Sequence, residues 1–259
     1  MDIPAEFLRR LAGAAAAQTL PRFRGAGAVA NKLEGGFDPV TEADREAEQA
    51  LRQLIRAEYP GHGIIGEEFG PENIDSSFLW VVDPIDGTRS FISGIPLWGT
   101  LVGLTADGRA VAGMMAQPFT RELFYASAGQ AWYEASGVTR RIATSGKTGL
   151  SEATLCTTTP AMFTENGRAA YDRVEKSVRM ARYGTDCYAY AMLAAGHVDL
   201  VVETGLQPYD IIALIPIIAA AGGTVTDWKG GPAENGGDIV AAATAELHAA
   251  ALAVLGAAD

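Results

Sequence analysis

Trp80-Val-Val-Asp83-Pro-Ile-Asp86-Gly87-Thr88-Arg89-Ser90 is the stretch on which the reading of this chain turns. An apolar strand delivers two carboxylates, three residues apart, into a tight turn, and a Gly-Thr pair then opens a short helix. Oxygen ligands presented in this way suit Mg²⁺, a hard cation that prefers carboxylates, carbonyls and water. The helix start offers free backbone N–H groups and a positive dipole end, where a phosphate can sit. A competing account exists for each acid alone, because Asp-Pro and Asp-Gly form turns and Asp caps helices. It does not explain two acids directly after a buried strand, so the ordered string points to metal-assisted phosphoryl chemistry.

Outward from this string, three further acidic positions stand at the ends of expected elements. Glu67 closes Gly66-Glu67-Glu68 after the short strand begun by Ile64. Asp44 falls in the first turn of a helix expected over 41–58, whose Ala43, Ala47, Leu51, Leu54 and Ile55 recur at helical spacing. There the helix dipole alone would favour an acid. Asp210 opens a helix expected over 210–221, despite Pro216. If the fold gathers Glu67, Asp83, Asp86 and Asp210, with the carbonyl of Ile85 between the turn aspartates, they form an all-oxygen site for two or three Mg²⁺ ions. Paired cations of this kind clamp both the attacking and the leaving oxygen.

The remaining pattern describes two lobes. A first helix over 4–19 and a loop or hairpin over 25–36 containing Lys32 precede the 41–58 helix. Strands are expected over 78–82, 101–105, 110–117, 122–126 and 130–134, and past residue 145 strands and helices alternate. The expectation is an antiparallel-rich N-terminal α+β lobe, 1–145, carrying most of the metal ligands. It is layered against an α/β lobe, 146–259, carrying Asp210.

Composition narrows the function. A net charge of −11 on 259 residues leaves no basic surplus to replace the counterions of a nucleic acid, so no nucleic-acid partner is expected. Bound divalent cations would reconcile the acidic chain with a phosphate substrate. Cys156 and Cys187 form neither a disulfide framework nor a zinc-ligand pattern and are read as buried free thiols. The Ala-rich stretch 11–20 has Glu6 ahead of it and is read as a helix rather than a leader, and the apolar run 211–223 is too short to span a bilayer. A cytoplasmic protein without a membrane partner is expected.

Gly66-Glu67-Glu68, the Trp80–Thr88 string and Tyr209-Asp210-Ile-Ile-Ala-Leu followed by Ala-Gly-Gly resemble the signature segments of the inositol monophosphatase-like family. The resemblance runs from Asp38-Pro-Val-Thr-Glu-Ala-Asp44 to the final strands. It implies an αβαβα layered sandwich and a Mg²⁺-dependent, lithium-sensitive phosphatase, commonly a homodimer. Position by position it implies metal ligands Glu67, Asp83, the Ile85 carbonyl, Asp86 and Asp210. Asp44 and Thr88, with Glu67, match the residues that activate the attacking water, and Gly87 and Thr88 match donors to the phosphate. Lys32 matches either a basic residue of the metal-site loop or a solvated lysine. The implied chemistry is direct attack by metal-activated water on a small phosphate ester, without a phosphoenzyme.

Several segments are similar to the histidinol-phosphate phosphatase branch of that family: Phe37–Asp44, Gly87–Thr100, Gly184-Thr185-Asp186-Cys-Tyr-Ala-Tyr190 and Gln207-Pro-Tyr-Asp210. Gly184, Thr185, Asp186 and Glu203 then match substrate contacts. Extra carboxylates suit a substrate carrying an ammonium and an imidazole. Alternatively, Asp186 caps a helix and Glu203 meets solvent at a strand end. The expectation is hydrolysis of L-histidinol phosphate in histidine biosynthesis, with inositol 1-phosphate or another small monoester as the alternative substrate.

Overall fold

The computed structural model describes residues 3–25, 29–31 and 39–257; Lys32 lies outside them. The chain opens with α1 (Ala5–Thr19), an antiparallel pair β1 (Val29–Asn31) and β2 (Pro39–Thr41), and α2 (Glu42–Glu58). A seven-stranded sheet follows, with neighbours in chain order: β3 (Gly63–Gly66), β4 (Phe78–Asp86), β5 (Gly99–Ala106), β6 (Arg109–Gln117), β7 (Glu122–Ser127), β8 (Gln130–Ala135) and β9 (Val138–Arg141). Helix α3 (Thr88–Ile92) links β4 to β5. Only the β3–β4 pair of this sheet is parallel.

The second sheet holds β10 (Thr154–Thr157), β11 (Met180–Tyr183), β12 (Leu200–Leu206), β13 (Thr224–Asp227) and β14 (Gly237–Ala242). Their order is β11-β10-β12-β14-β13, with β10 parallel to both its neighbours. Helices α4 (Glu165–Ser177), α5 (Asp186–Ala194), α6 (Pro208–Ile211), α7 (Leu214–Ala220) and α8 (Ala245–Leu255) complete the chain.

Side-chain alternation explains the layering. Along a strand successive residues face opposite sides. Thus Val102, Met114 and Tyr125 of the large sheet pack with Phe7, Leu11, Leu51 and Ile55 of α1 and α2. Their neighbours Leu101, Met115 and Phe124 face α5 and α7, meeting Tyr190, Leu193, Ile217 and Ile218. On the far side, Val201 and Ile239 of the small sheet join this middle core, while Leu200, Val202 and Val240 pack with Tyr171 and Val174 of α4 and Leu247 and Ala251 of α8. The result is a five-layer αβαβα sandwich with α5–α7 in its centre.

Three expectations are corrected. The helix expected over 210–221 is two helices, α6 and α7, broken at Ile212 and Ala213. Pro216 has no N–H for the carbonyl of Ile212, and its ring crowds that carbonyl, so the helix cannot run through. The strand expected to end at Val82 continues to Asp86. Strand β9 and helix α8 were not anticipated; β9 is fully exposed and α8 is Ala-rich, so neither carries a sharp amphipathic pattern.

Candidate active site

The acidic string lies on a β-bulge rather than in a tight turn. Asp83 pairs with Leu101 and Asp86 with Gly99, so Pro84 and Ile85 together face the single residue Thr100. In a regular strand, residues three apart point to opposite faces; the extra residue of a bulge shifts that phase and lets Asp83 and Asp86 converge. The kink is pinned locally: Ile85 N–H donates to Asp83 Oδ1 at 3.0 Å and Thr100 Oγ donates to the Pro84 carbonyl at 2.8 Å. Thr88 donates its hydroxyl to the Ile85 carbonyl at 3.1 Å. It occupies the first position of α3, and Gly87 is the N-cap.

Asp210 arrives from the other half of the chain. It sits in the first turn of α6, where its Oδ2 accepts from the backbone N–H of Gln207 at 2.7 Å. The segment after it lies directly on the large sheet. Gly103 and Gly113 face each other on β5 and β6, and a Cβ on Gly113 would stand 2.0 Å from the Ala213 carbonyl oxygen. Two adjacent glycines thus clear the sheet surface for the α6–α7 junction. Asp83, Asp86 and Asp210 each then offer a carboxylate oxygen within 4.8 Å of the others.

Glu67 and Asp44 flank this trio. The Glu67 N–H donates to the Val82 carbonyl at 3.2 Å, and its carboxylate neighbours that of Asp83. Asp44, 1% exposed, accepts at Oδ2 from the N–H of Thr41 at 2.8 Å and its hydroxyl at 2.5 Å. The bond from the Thr41 N–H, with the Thr41 hydroxyl oxygen accepting in turn from the Ala43 N–H at 3.1 Å, makes a capping box at the start of α2. Its Oδ1 is buried without a hydrogen-bond partner among the described residues.

Adjoining the trio, a small cavity is lined by Asp86, Thr158, Asp186, Cys187, Tyr190, Glu203, Leu206 and Asp210. Asp186 is the first residue of α5, not its cap, and holds φ of +43°. Its Oδ2 accepts from Ser90 Oγ at 2.7 Å, drawing α3 towards α5. Glu203 is buried rather than solvent-facing, and accepts from Thr158 N–H at 2.6 Å, Thr158 Oγ at 3.0 Å and Thr157 Oγ at 3.2 Å. Gly184 donates its N–H to the Thr158 carbonyl at 2.8 Å, which folds Thr185 and Asp186 back towards this cavity.

Burial and mutual repulsion govern the electrostatics. Burial, then Glu67, Asp86 and Asp210, push the Asp83 carboxyl well above the usual range. Burial, then Asp210 and Asp186, do the same to Asp86, against the Cys187 N–H bond. Burial raises Asp186 against bonds from Ser90 and Thr158. Asp44 is pushed up to about 6 chiefly by burial, and Glu203 to about 7 by the same cause. Desolvated like charges at this density are costly unless a cation joins them. Oxygens at most 4.8 Å apart suit a cation with ligand distances of about 2.1 Å, since opposite ligands then lie about 4.2 Å apart. The donor set therefore fits a hard divalent metal.

The sequence reading missed Thr158, Tyr190, Ser90, Glu48 and Arg52. Tyr190 lines the cavity with a buried hydroxyl that has no hydrogen-bond partner among the described residues. Glu48 and Arg52 follow Asp44 at intervals of four, a spacing that puts them on its face of α2 without marking them as buried.

Among the described residues no helix is long and apolar enough to cross a membrane. The sequence pattern of the inositol monophosphatase family matches residues 5–258. The chain is 42% identical to the bifunctional phosphatase IMPL2, chloroplastic, of Arabidopsis thaliana over 83% of this chain and 65% of that protein. It is 34% identical to a histidinol-phosphatase of Chlorobaculum parvum over 74% of this chain and 73% of that one. Among solved structures, an inositol monophosphatase from Zymomonas mobilis superposes with a TM-score of 0.85 at 39% identity, covering 96% of each chain. Fold, bulge-borne carboxylates and sequence pattern agree: this chain belongs to the inositol monophosphatase family of phosphatases.

Proposed function

We propose that the protein is a Mg²⁺-dependent phosphatase that hydrolyses L-histidinol phosphate to L-histidinol and phosphate. The observation that carries this reading is the cavity in which Asp186 and Glu203 stand beside Asp86 and Asp210. Two carboxylates beyond those at the metal position suit a substrate with a phosphate at one end and an ammonium at the other. Similarity to a histidinol-phosphatase over three quarters of the chain supports it.

In this reading Glu67, Asp83, the Ile85 carbonyl, Asp86 and Asp210 hold two or three Mg²⁺ ions. Bound there, the cations neutralise phosphate charge and acidify water. The backbone N–H groups of Gly87 and Thr88 orient the phosphate, and the Gly184–Asp186 turn and Glu203 grip the amino-alcohol end. Asp44 takes the proton of the attacking water on Oδ1. Burial lifts its carboxyl above the usual range, the direction a general base near neutral pH needs. Thr88, its hydroxyl directed at the Ile85 carbonyl, aligns the same water through its oxygen. Water adds across the P–O bond: its hydroxyl stays on phosphorus and the departing alkoxide leaves protonated as the alcohol.

A second reading, hydrolysis of inositol 1-phosphate, is favoured by the 39% identity to the Zymomonas mobilis inositol monophosphatase. Phosphate release from L-histidinol phosphate and myo-inositol 1-phosphate, with and without Mg²⁺, separates the two. Faster Mg²⁺-dependent release from histidinol phosphate supports the first reading. A preference for the inositol ester replaces it, and no release from either sinks both.

A further inference from the structure

Helix α2 carries a second stripe beside its apolar one. Asp44, Glu48 and Arg52 recur every four residues, hence on one face, and are 1%, 0% and 4% exposed. Asp44 reaches the carboxylate site. The other two reach the loop that follows β3, and their partners there are mostly backbone. Glu48 Oε2 accepts from the N–H of Glu68 at 2.7 Å, and Oε1 from the N–H of Phe69 at 3.3 Å and from Arg52 Nε at 2.8 Å. One Arg52 nitrogen, Nη2, donates to the carbonyls of Phe69 and Gly70, each at 3.0 Å. The loop is closed behind them by the Ile64–Glu72 bridge, with N···O distances of 2.8 and 2.9 Å. Gly66 completes the fit: a Cβ there would stand 1.9 Å from Glu48 Oε1.

A buried ion pair that binds a loop's backbone on both N–H and carbonyl sides leaves that loop one conformation. The residue it thereby aims is Glu67, which immediately precedes the first amide held, meets the carboxyl of Asp83 and is near enough to repel that of Asp44. We propose that Glu48, locked by Arg52, is a positioning residue that presets Glu67 for the metal and so sets the site's affinity for Mg²⁺. This rests on the reading of Glu67 as a ligand, and the test separates the two.

The test measures Mg²⁺ affinity by titration calorimetry, and the Mg²⁺-induced rise in melting temperature, for Glu48→Gln, Glu67→Gln and the double variant. Val174→Ala, in the outer core away from the site, is the control for simple destabilisation. Partners that orient metal ligands are worth roughly tenfold to 100-fold in affinity, and Glu48→Gln is expected to lose that much. The double variant should bind about as weakly as Glu67→Gln alone, because Glu48 acts through Glu67. Val174→Ala should keep wild-type affinity. Multiplying losses in the double variant, or wild-type affinity in Glu48→Gln beside a weakened Glu67→Gln, would overturn the proposal. An unchanged Glu67→Gln would instead remove the ligand reading, and the proposal with it. Should Glu48→Gln fail to fold, Arg52→Lys, which keeps the charge but has no second nitrogen to hold Glu48 while the first holds the two carbonyls, takes its place with a smaller loss of affinity expected; wild-type affinity there would equally overturn the proposal.

Discussion

The Cys187 N–H donates to Asp86 Oδ2 at 2.7 Å, across 101 residues of chain, and ties the bulged end of β4 to the first turn of α5. One carboxylate thus joins an electrostatically strained cluster while bracing the large sheet against the central helices.

Asp86→Asn separates these duties. The amide oxygen can still accept from Cys187, while the charge that repels Asp210 and Asp186 is gone. In EDTA the variant should melt at or above the wild-type temperature. With Mg²⁺ its melting temperature should no longer rise, and kcat/KM should fall by at least roughly 100-fold. A variant as active as wild type would remove Asp86 from the chemistry.

Glu203 makes metal-free stability depend on pH. Its folded value of about 7 lies above the ordinary glutamate value of 4.5, so the fold favours the protonated form. Stability from this group is full below about pH 4.5 and declines as pH rises through about 7. Relative to Glu203→Gln, the wild type should lose up to about 3 kcal/mol across that window in urea melts with EDTA. A pH-independent difference would contradict the burial argument.

Asp186→Asn tests the substrate. The amide can keep the Ser90 bond but cannot pair with an ammonium. Charge-assisted bonds contribute about 1.5–3 kcal/mol. The variant's kcat/KM for histidinol phosphate should therefore fall by roughly tenfold to 100-fold, and that for inositol 1-phosphate should change little. Equal losses on both esters would assign Asp186 to the fold rather than to the amino group.

Tyr190→Phe probes the unpaired hydroxyl. Leaving a buried polar group unsatisfied costs about 1–3 kcal/mol, so its removal should raise the melting temperature of the metal-free protein. A lower melting temperature would mean that the hydroxyl has a partner in solution.

The legible part of the site was the part written in consecutive residues. The acidic string, Glu67 and Asp210 could be picked out because each follows or opens a recognisable element. The bulge could not, since setting Pro84 and Ile85 together against Thr100 is a matter of register with β5, which the local pattern of β4 does not carry. The break before α7 is written in Pro216, but the unbroken apolar run around that proline reads as a single helix. Glu48 and Arg52 escaped because, among surface-type residues on a helix, nothing local distinguishes a buried pair from a solvated one. Their burial is decided by a loop some twenty residues away.

The central layer of helices has a consequence for how the chain is made. The large sheet ends at Arg141, whereas α5 and α7, which cover its inner face, lie beyond residue 185. As the ribosome releases the chain from its N-terminus, Leu101, Met115 and Phe124 are translated before the helices that shield them. A nascent sheet with a bare apolar face is a target for chaperones and for aggregation. In the proposed chemistry Glu67, Asp83 and Asp86 likewise wait for Asp210, so the metal site is complete only well after the large sheet has been made.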